Sequence, residues 1–342
     1  MDQNAEILKK AISGSLKIIE QDREREIISR RFGLKGSKET LEQIGETLSI
    51  TRERVRQLEK AILIRLQISA EENQIPELAA AEKILVRNLT EMGRLAKLDT
   101  LADKIYGKPA TNAEQNGIYF IATFAKNLAV IEENDRYYYS VGIAEYGDSA
   151  TVRARVDKIV AVISANKAPM TLDELDNKLD YEHPDHIRAT ASISKLLATL
   201  GGVWGLAKWP SVNPKNIRDK IFVILEAKKE PMHFSDIAKE IANSNFKRKN
   251  VTVQAIHNEL IKDPRFILIG RGIYALNTWG YKKGTISDII VSILEKSDKP
   301  LTKEEIVKQV LKVRKVKETT ILLNLQNKKL FKKIDKNLYV KA

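Results

Sequence analysis

The chain has 342 residues, 58 Lys+Arg against 45 Asp+Glu for a net charge of +13, and no cysteine. At roughly 100–200 residues per domain this length implies two to four compact units, and 43% hydrophobic residues exclude a wholly disordered chain. The absence of Cys excludes disulfides, thiolate metal sites, iron–sulfur clusters and cysteine nucleophiles.

The first residues, Met1 to Glu6, lack the basic and apolar regions of a secretory leader. The longest apolar stretch, Ile118 to Ile131, is broken by Lys126 and Asn127 and is too short for a bilayer. These features predict a soluble, cytoplasmic protein without membrane contact, and the basic balance points to a polyanionic partner. The charge is uneven: residues 207–342 hold 29 Lys+Arg and 14 Asp+Glu, a net of +15, which leaves −2 for residues 1–206. It clusters in Lys247-Arg248-Lys249, in Lys282-Lys283, from Lys312 to Lys317, and in Lys328-Lys329 with Lys332-Lys333. Any one cluster reads equally as a solvated face; four in one region favour a polyanion-binding surface.

Residues 16–68 read as a helical unit. Asp22 to Phe32 is a charged amphipathic helix with Ile27 and Ile28 inward, stopped by Gly33. Thr40 caps a second helix that places Leu41, Ile44 and Leu48 on one face. Ser49-Ile50 forms a tight turn, and Thr51 caps a third helix running to about Leu66. That cap is partial, because Arg54 stands where a capping box has Glu or Gln. Two short helices across such a turn are a helix-turn-helix. On the third helix Val55, Leu58 and Ile62 form a buried stripe, and Arg52, Glu53, Arg56 and Gln57 fall on the outward face near its N-terminus. Arg offers a fork to guanine, Gln pairs with adenine, and a carboxylate accepts from cytosine. On composition alone, a solvated helix rich in ion pairs accounts for the same residues.

Beyond a polar linker from Ser69 to Pro76, one module recurs with a period of about 60–70 residues. Its mark is an apolar helix, a Pro and a second helix: Ile159 to Ile163 with Pro169 and Leu175, Ile221 to Leu225 with Pro231 and Ile237, Ile290 to Leu294 with Pro300 and Ile306. A third helix and a two-stranded ribbon follow. The ribbons are Phe266 to Ile269 with Ile273 to Leu276 about Gly270-Arg271-Gly272, and Leu330 to Ile334 with Leu338 to Val340 about Asp335-Lys336-Asn337. The wing around Gly201-Gly202-Val203-Trp204 is less regular. Residues 79–142 fit more loosely, without the Pro mark, with Leu128 to Ile131 expected to pair with Arg136 to Val141. The fold class is thus mainly α with small β-hairpin wings: a helix-turn-helix at 1–70, then winged helices at 77–145, 150–212, 214–281 and 284–342.

The run Asp22-Arg23-Glu24-Arg25, Arg30-Arg31-Phe32-Gly33-Leu34, Glu39 to Gly45 and Thr51-Arg52-Glu53-Arg54-Val55-Arg56-Gln57-Leu58-Glu59-Lys60-Ala61 resembles region four of primary bacterial sigma factors. The resemblance implies a helix-turn-helix that reads a −35 promoter element, with base contacts from Arg52, Glu53, Arg56 and Gln57 and phosphate contacts from Arg23, Thr40 and Lys60. It also implies docking on the β-subunit flap of RNA polymerase. Nothing elsewhere resembles the aromatic-rich sigma region that melts promoter DNA, which argues against a free-standing sigma factor. Residues from about Ile217 to Trp279 resemble the HARE-HTH winged helices, through Ile224-Leu225, Pro231, Ile237-Ala238, Arg265-Phe266 and Gly270 to Leu276. That family includes the delta subunit of bacterial RNA polymerase and modules fused to DNA-acting enzymes. Arg271, at the wing tip, is then a phosphate contact, or equally an exposed turn residue.

His183-Pro184-Asp185-His186 is better read as a turn leading into a helix than as metal ligands. Trp279 reads as core, although with Tyr281 and Lys282-Lys283 it could stack on bases. No phosphate loop, nucleophile elbow or His-Glu-x-x-His occurs, so no enzyme activity, cofactor, metal or small-molecule substrate is expected. The expectation is a sequence-specific double-stranded DNA-binding protein of bacterial transcription. The alternatives are a polymerase-associated interaction factor with little DNA specificity, or the accessory DNA-binding subunit of a defence or modification system.

Overall fold

The computed structural model describes residues 2–179, 181–246, 248–297, 299–335 and 337–342. Lys247 of the first basic cluster and Lys336 of the last wing's turn lie outside the described residues. The chain divides into two compact units, Met1–Lys208 and Trp209–Ala342.

The first unit begins with α1 (Asp2–Ile18) and the three helices α2 (Asp22–Arg31), α3 (Leu41–Leu48) and α4 (Arg52–Glu71). Module one follows with α5 (Leu78–Glu91), β1 (Leu95–Lys97), α6 (Leu98–Tyr106), α7 (Asn112–Phe124), β2 (Leu128–Ile131) and β3 (Ser140–Ile143). Module two is α8 (Ser149–Asn166), β4 (Met170–Thr171), α9 (Leu172–Asp176), α10 (Pro184–Ser192), β5 (Leu197–Leu200) and β6 (Val203–Leu206). In the second unit, module three comprises α11 (Ile217–Lys228), β7 (Met232–His233), α12 (Phe234–Asn243), α13 (Val253–Lys262), β8 (Phe266–Gly270) and β9 (Ile273–Leu276). Module four is α14 (Ile286–Glu295), β10 (Leu301–Thr302), α15 (Lys303–Val313), α16 (Glu318–Leu325), β11 (Phe331–Asp335) and β12 (Leu338–Lys341).

Each module carries a three-stranded antiparallel sheet, not the two-stranded ribbon expected. The last strand of the module lies in the middle, with orders β1-β3-β2, β4-β6-β5, β7-β9-β8 and β10-β12-β11. In modules two, three and four the added strand has only two residues, directly after the marker Pro169, Pro231 or Pro300. Two residues are too few for a period-two pattern to register in the sequence. The Pro sits where a chain lacking one N–H loses no ladder bond.

Two further expectations are corrected. Residues 69–76 are not a free linker: α4 continues to Glu71, Ser69 is buried, and Ile75 joins the core with Leu66 and Leu78. In module one the returning strand begins at Ser140, with Leu128 opposite Ile143 and Ile131 opposite Ser140. Residues 136–138 are drawn to module two instead. The Tyr138 N–H donates to the Ile193 carbonyl at 2.9 Å, and the Lys195 N–H donates to the Arg136 carbonyl at 2.8 Å.

The helix-turn-helix and module one share one hydrophobic core. It takes Leu8 and Ala11 from α1, Ile28 and Phe32 around α2, Ile62 and Leu66 from α4, and Ile118, Phe120, Ile121 and Phe124 from α7. Phe120 has no exposed surface and sets its ring edge-on to Phe32 and Phe124, each 5.1 Å away. The helix α1 has no counterpart in the sequence reading, yet it seals this core: a Cβ on Gly117 would meet Ile12 at 2.5 Å. Removing a fully buried Phe costs about 3–5 kcal/mol. Phe120→Ala is therefore expected to lower stability by about that amount and to speed amide hydrogen exchange in α3 and α4 together with α5 and α6. Faster exchange confined to α5–α7 would show that the helix-turn-helix folds separately.

Candidate nucleic-acid interface

The helix-turn-helix is set by short-range chemistry. Thr40 caps α3 in a full capping box: its backbone N–H donates to Gln43 Oε1 at 2.9 Å, and the Gln43 N–H donates to its hydroxyl at 3.2 Å. The turn passes through Ser49 with φ +54°, and Gly45 lets it close, since a Cβ there would lie 2.7 Å from the Ile50 carbonyl. Thr51 accepts from the Arg54 N–H at 3.2 Å and starts α4 without a reciprocal partner. Ile27, Ile44 and Val55, all fully buried, make the small core between the three helices.

Arg52, Glu53, Arg56 and Gln57 come together on the exposed side of the first two turns of α4, and Lys60 follows one turn on, also exposed. Arg56 is already engaged: its Nε and Nη2 donate to the two Glu53 carboxylate oxygens at 2.9 and 2.7 Å. The hydrogen bond from Arg56 holds the Glu53 carboxyl below its ordinary pKa, and the same bond raises the pKa of Arg56. An exposed pair of this kind adds little to stability, so its fork is readily exchanged for a base edge. Gln57 accepts from Arg54 at 3.4 Å. Arg23 is exposed and donates to the Leu48 carbonyl at 2.6 Å, tying α2 to the end of α3. Thr40 is committed to its cap. Arg271 belongs to the second unit, exposed between β8 and β9.

Ion pairs lock α4 in place. Arg31 reaches Glu59 at 3.1 Å and Arg65 pairs with the buried Glu24, both joining α2 to α4, while Arg30 bridges Glu26 and Glu39 and ties α2 to the loop before α3. Lys38, in the loop before α3, stands over the rings of Tyr119 and Tyr139 at 4.5 and 4.1 Å, and burial pushes its ammonium pKa down.

Residues 21–67 match the family model for sigma-70 region 4. Residues 217–279 match that of the HARE-HTH domain, a helix-turn-helix domain whose description includes restriction endonucleases. Both are DNA-binding helix-turn-helix domains, and they support DNA as a partner of this chain. Neither is an enzyme family. Among the described residues no helix is long and apolar enough to cross a membrane.

The third helix of a winged helix is the element that enters the major groove in helix-turn-helix proteins, and the four modules differ there. In module one α7 buries Asn116 to Ala122 and Phe124 against α1 and α4. In module two α10 buries His186, Ile187 and residues 189–191; His183 caps it and the Tyr146 hydroxyl meets Thr190 at 2.9 Å. Beyond its first turn α7 has no exposed residue, and in α10 only Arg188 is exposed. In module three α13 buries only Ile256 and Leu260 and exposes Val253, Gln254, Asn258 and Ile261. In module four α16 buries only Ile321 and Leu325. Sequence periodicity marks one apolar face of a helix; it misses a second face covered by another module.

Module three is braced by Arg265, which donates to Asp263 at 2.7 Å and to Asp219 at 3.1 Å, beneath the rings of Phe222 and Phe266. Trp279 and Tyr281 pack half-buried against Ile267, Ile269 and Ala275, which leaves them as wing support. Asp263 is buried, and the hydrogen bonds from Arg265 hold its carboxyl below the ordinary 3.8. Its contribution to stability is therefore complete above the ordinary carboxylate range and is lost as pH falls through the depressed folded-state value. Breaking a buried pair costs about 3–5 kcal/mol, and partial exposure of Arg265 reduces this to about 2 kcal/mol. In urea titrations Arg265→Ala is expected to lose that amount at pH 7 and to show less acid sensitivity than wild type. Equal stability of the two proteins at pH 7 would contradict this bracing role.

Proposed function

We propose that this chain is a sequence-specific double-stranded DNA-binding protein of bacterial transcription, reading a −35-like promoter element with α4. The observation that carries the reading is the exposure of Arg52, Glu53, Arg56 and Gln57 together at the start of a helix that follows a capped, glycine-dependent turn. Phosphate contacts position a protein and base contacts specify its site. Arg23 and Lys60 flank the reading face for the first task, with Arg271 and the exposed α13 and α16 adding contacts from the second unit. The chain binds and does no covalent chemistry.

A second reading is a polymerase-associated factor with little DNA specificity. It draws on α13, where Val253 and Ile261 are 44% and 64% exposed, an aliphatic surface that also suits a protein partner.

Selection of bound sequences from a random duplex library separates the two. Wild type is expected to enrich one short motif, and Arg52→Ala/Arg56→Ala to lose it, with affinity for the selected site falling roughly 10- to 100-fold per base contact. Absence of any enriched motif, with co-purification of RNA polymerase, would replace the first reading by the second.

A further inference from the structure

Modules three and four meet through one main-chain bond and the Arg314 side chain, beside a concentration of positive charge. The loop between α15 and α16 runs along the edge of the module three wing, where the Lys315 N–H donates to the Ile269 carbonyl at 3.1 Å. Arg314 locks this seam, with its guanidinium donating to the carbonyls of Leu268 and Gly284. The seam is tight: a Cβ on Gly270 would lie 2.7 Å from the Lys315 carbonyl oxygen. Gly270 is not in the left-handed region of φ, so close approach, and not backbone freedom, accounts for Gly at this position.

The consequence is electrostatic. Arg271 follows Gly270 directly, and Lys317 lies two residues beyond Lys315, so the seam gathers cations from two modules within a few residues of one contact. The ion pairs of this unit take up Arg218, Lys228, Lys239, Arg265 and Lys341. Among the described residues, Arg271, Arg314, Lys315 and Lys317 are in none. Arg271, Lys315 and Lys317 are exposed, and burial without a carboxylate partner lowers the pKa of Arg314. One main-chain bond and the half-buried Arg314 guanidinium hold the two backbones that carry these exposed cations. A partner that repays such an arrangement carries dense, regular negative charge. Duplex DNA has one phosphate charge per about 1.7 Å of axis, a density that an acidic protein surface of mixed composition does not reach.

We infer that modules three and four bind duplex DNA as one rigid body, with a phosphate strand crossing the seam at Arg271, Lys315 and Lys317. This rests on the DNA-binding reading above and adds to it a composite site that neither module holds alone. It accounts for the basic excess lying in the second unit while the base-reading helix is in the first. Non-specific affinity and sequence reading are then separate properties of separate units.

The test is the salt dependence of full-length chain binding to a random-sequence duplex. Each phosphate contact contributes about −0.9 to the slope of log K against log salt. Arg271→Ala/Lys315→Ala/Lys317→Ala, all surface changes, is expected to flatten the slope by about 2–3. Gly270→Ala removes no charge but wedges the seam. With circular dichroism like that of wild type, it is expected to weaken binding about tenfold, because the three cations no longer share one strand. A triple variant with the wild-type slope would overturn the composite site. So would a folded Gly270→Ala protein that binds as tightly as wild type, since the modules would then act independently. Failure of wild type to bind any duplex at low salt would overturn the DNA-binding reading itself, and with it this inference.

Discussion

The burial of α7 is the interaction on which the first unit depends. A helix with one apolar face could serve as the reading helix of its own winged module. This one is buried almost all round, from Asn116 through Phe124, and a helix of that kind must be covered on every side. The covers are α1 and α4. The same burial gives the helix-turn-helix its bed, with Ile62 and Leu66 of α4 in the shared core, Phe32 against Phe120, and Asn116 donating to the Gly33 carbonyl at 3.2 Å. The three helices of the helix-turn-helix enclose only a small core of their own, Ile27, Ile44 and Val55, and cores of that size are marginal alone. Fusion to module one supplies the missing apolar area.

The second unit follows a different rule. Its modules keep their third helices open and join through a seam of one main-chain bond and Arg314. The charge distribution follows this division. Residues 1–206 are close to neutral and the basic excess lies beyond them, so non-specific electrostatic attraction and base discrimination need not reside on the same surface.

Much of this was legible in the sequence, for identifiable reasons. The Thr40 and Thr51 caps, the Ser49-Ile50 turn and the Val55 and Ile62 stripe are local features, and spacing alone locates them. The repeated Ile, Pro and apolar anchor at fixed offsets marked modules two to four for the same reason. What escaped is non-local. The two-residue strands after the Pro positions have no period to detect, α1 has no distinctive motif, and the covering of α7 and α10 depends on neighbours far away in the chain. The use of Arg23 at the Leu48 carbonyl likewise arises from packing that residue spacing does not reveal, whereas the exposed pair of Arg56 with Glu53, three residues apart on one helix, follows from spacing alone. Arg314 stood in a run that looked like a plain basic cluster, and only its carbonyl partners distinguish it from the lysines around it.

If α4 reads bases as proposed, Arg56 must leave Glu53 for a guanine edge. The most direct measurement is a double-mutant cycle on the selected duplex, pairing wild type and Arg56→Ala with guanine or 7-deazaguanine at each position of the site. One position is expected where loss of the N7 acceptor weakens wild type but leaves Arg56→Ala unchanged. Equal losses for both proteins at every guanine would contradict it.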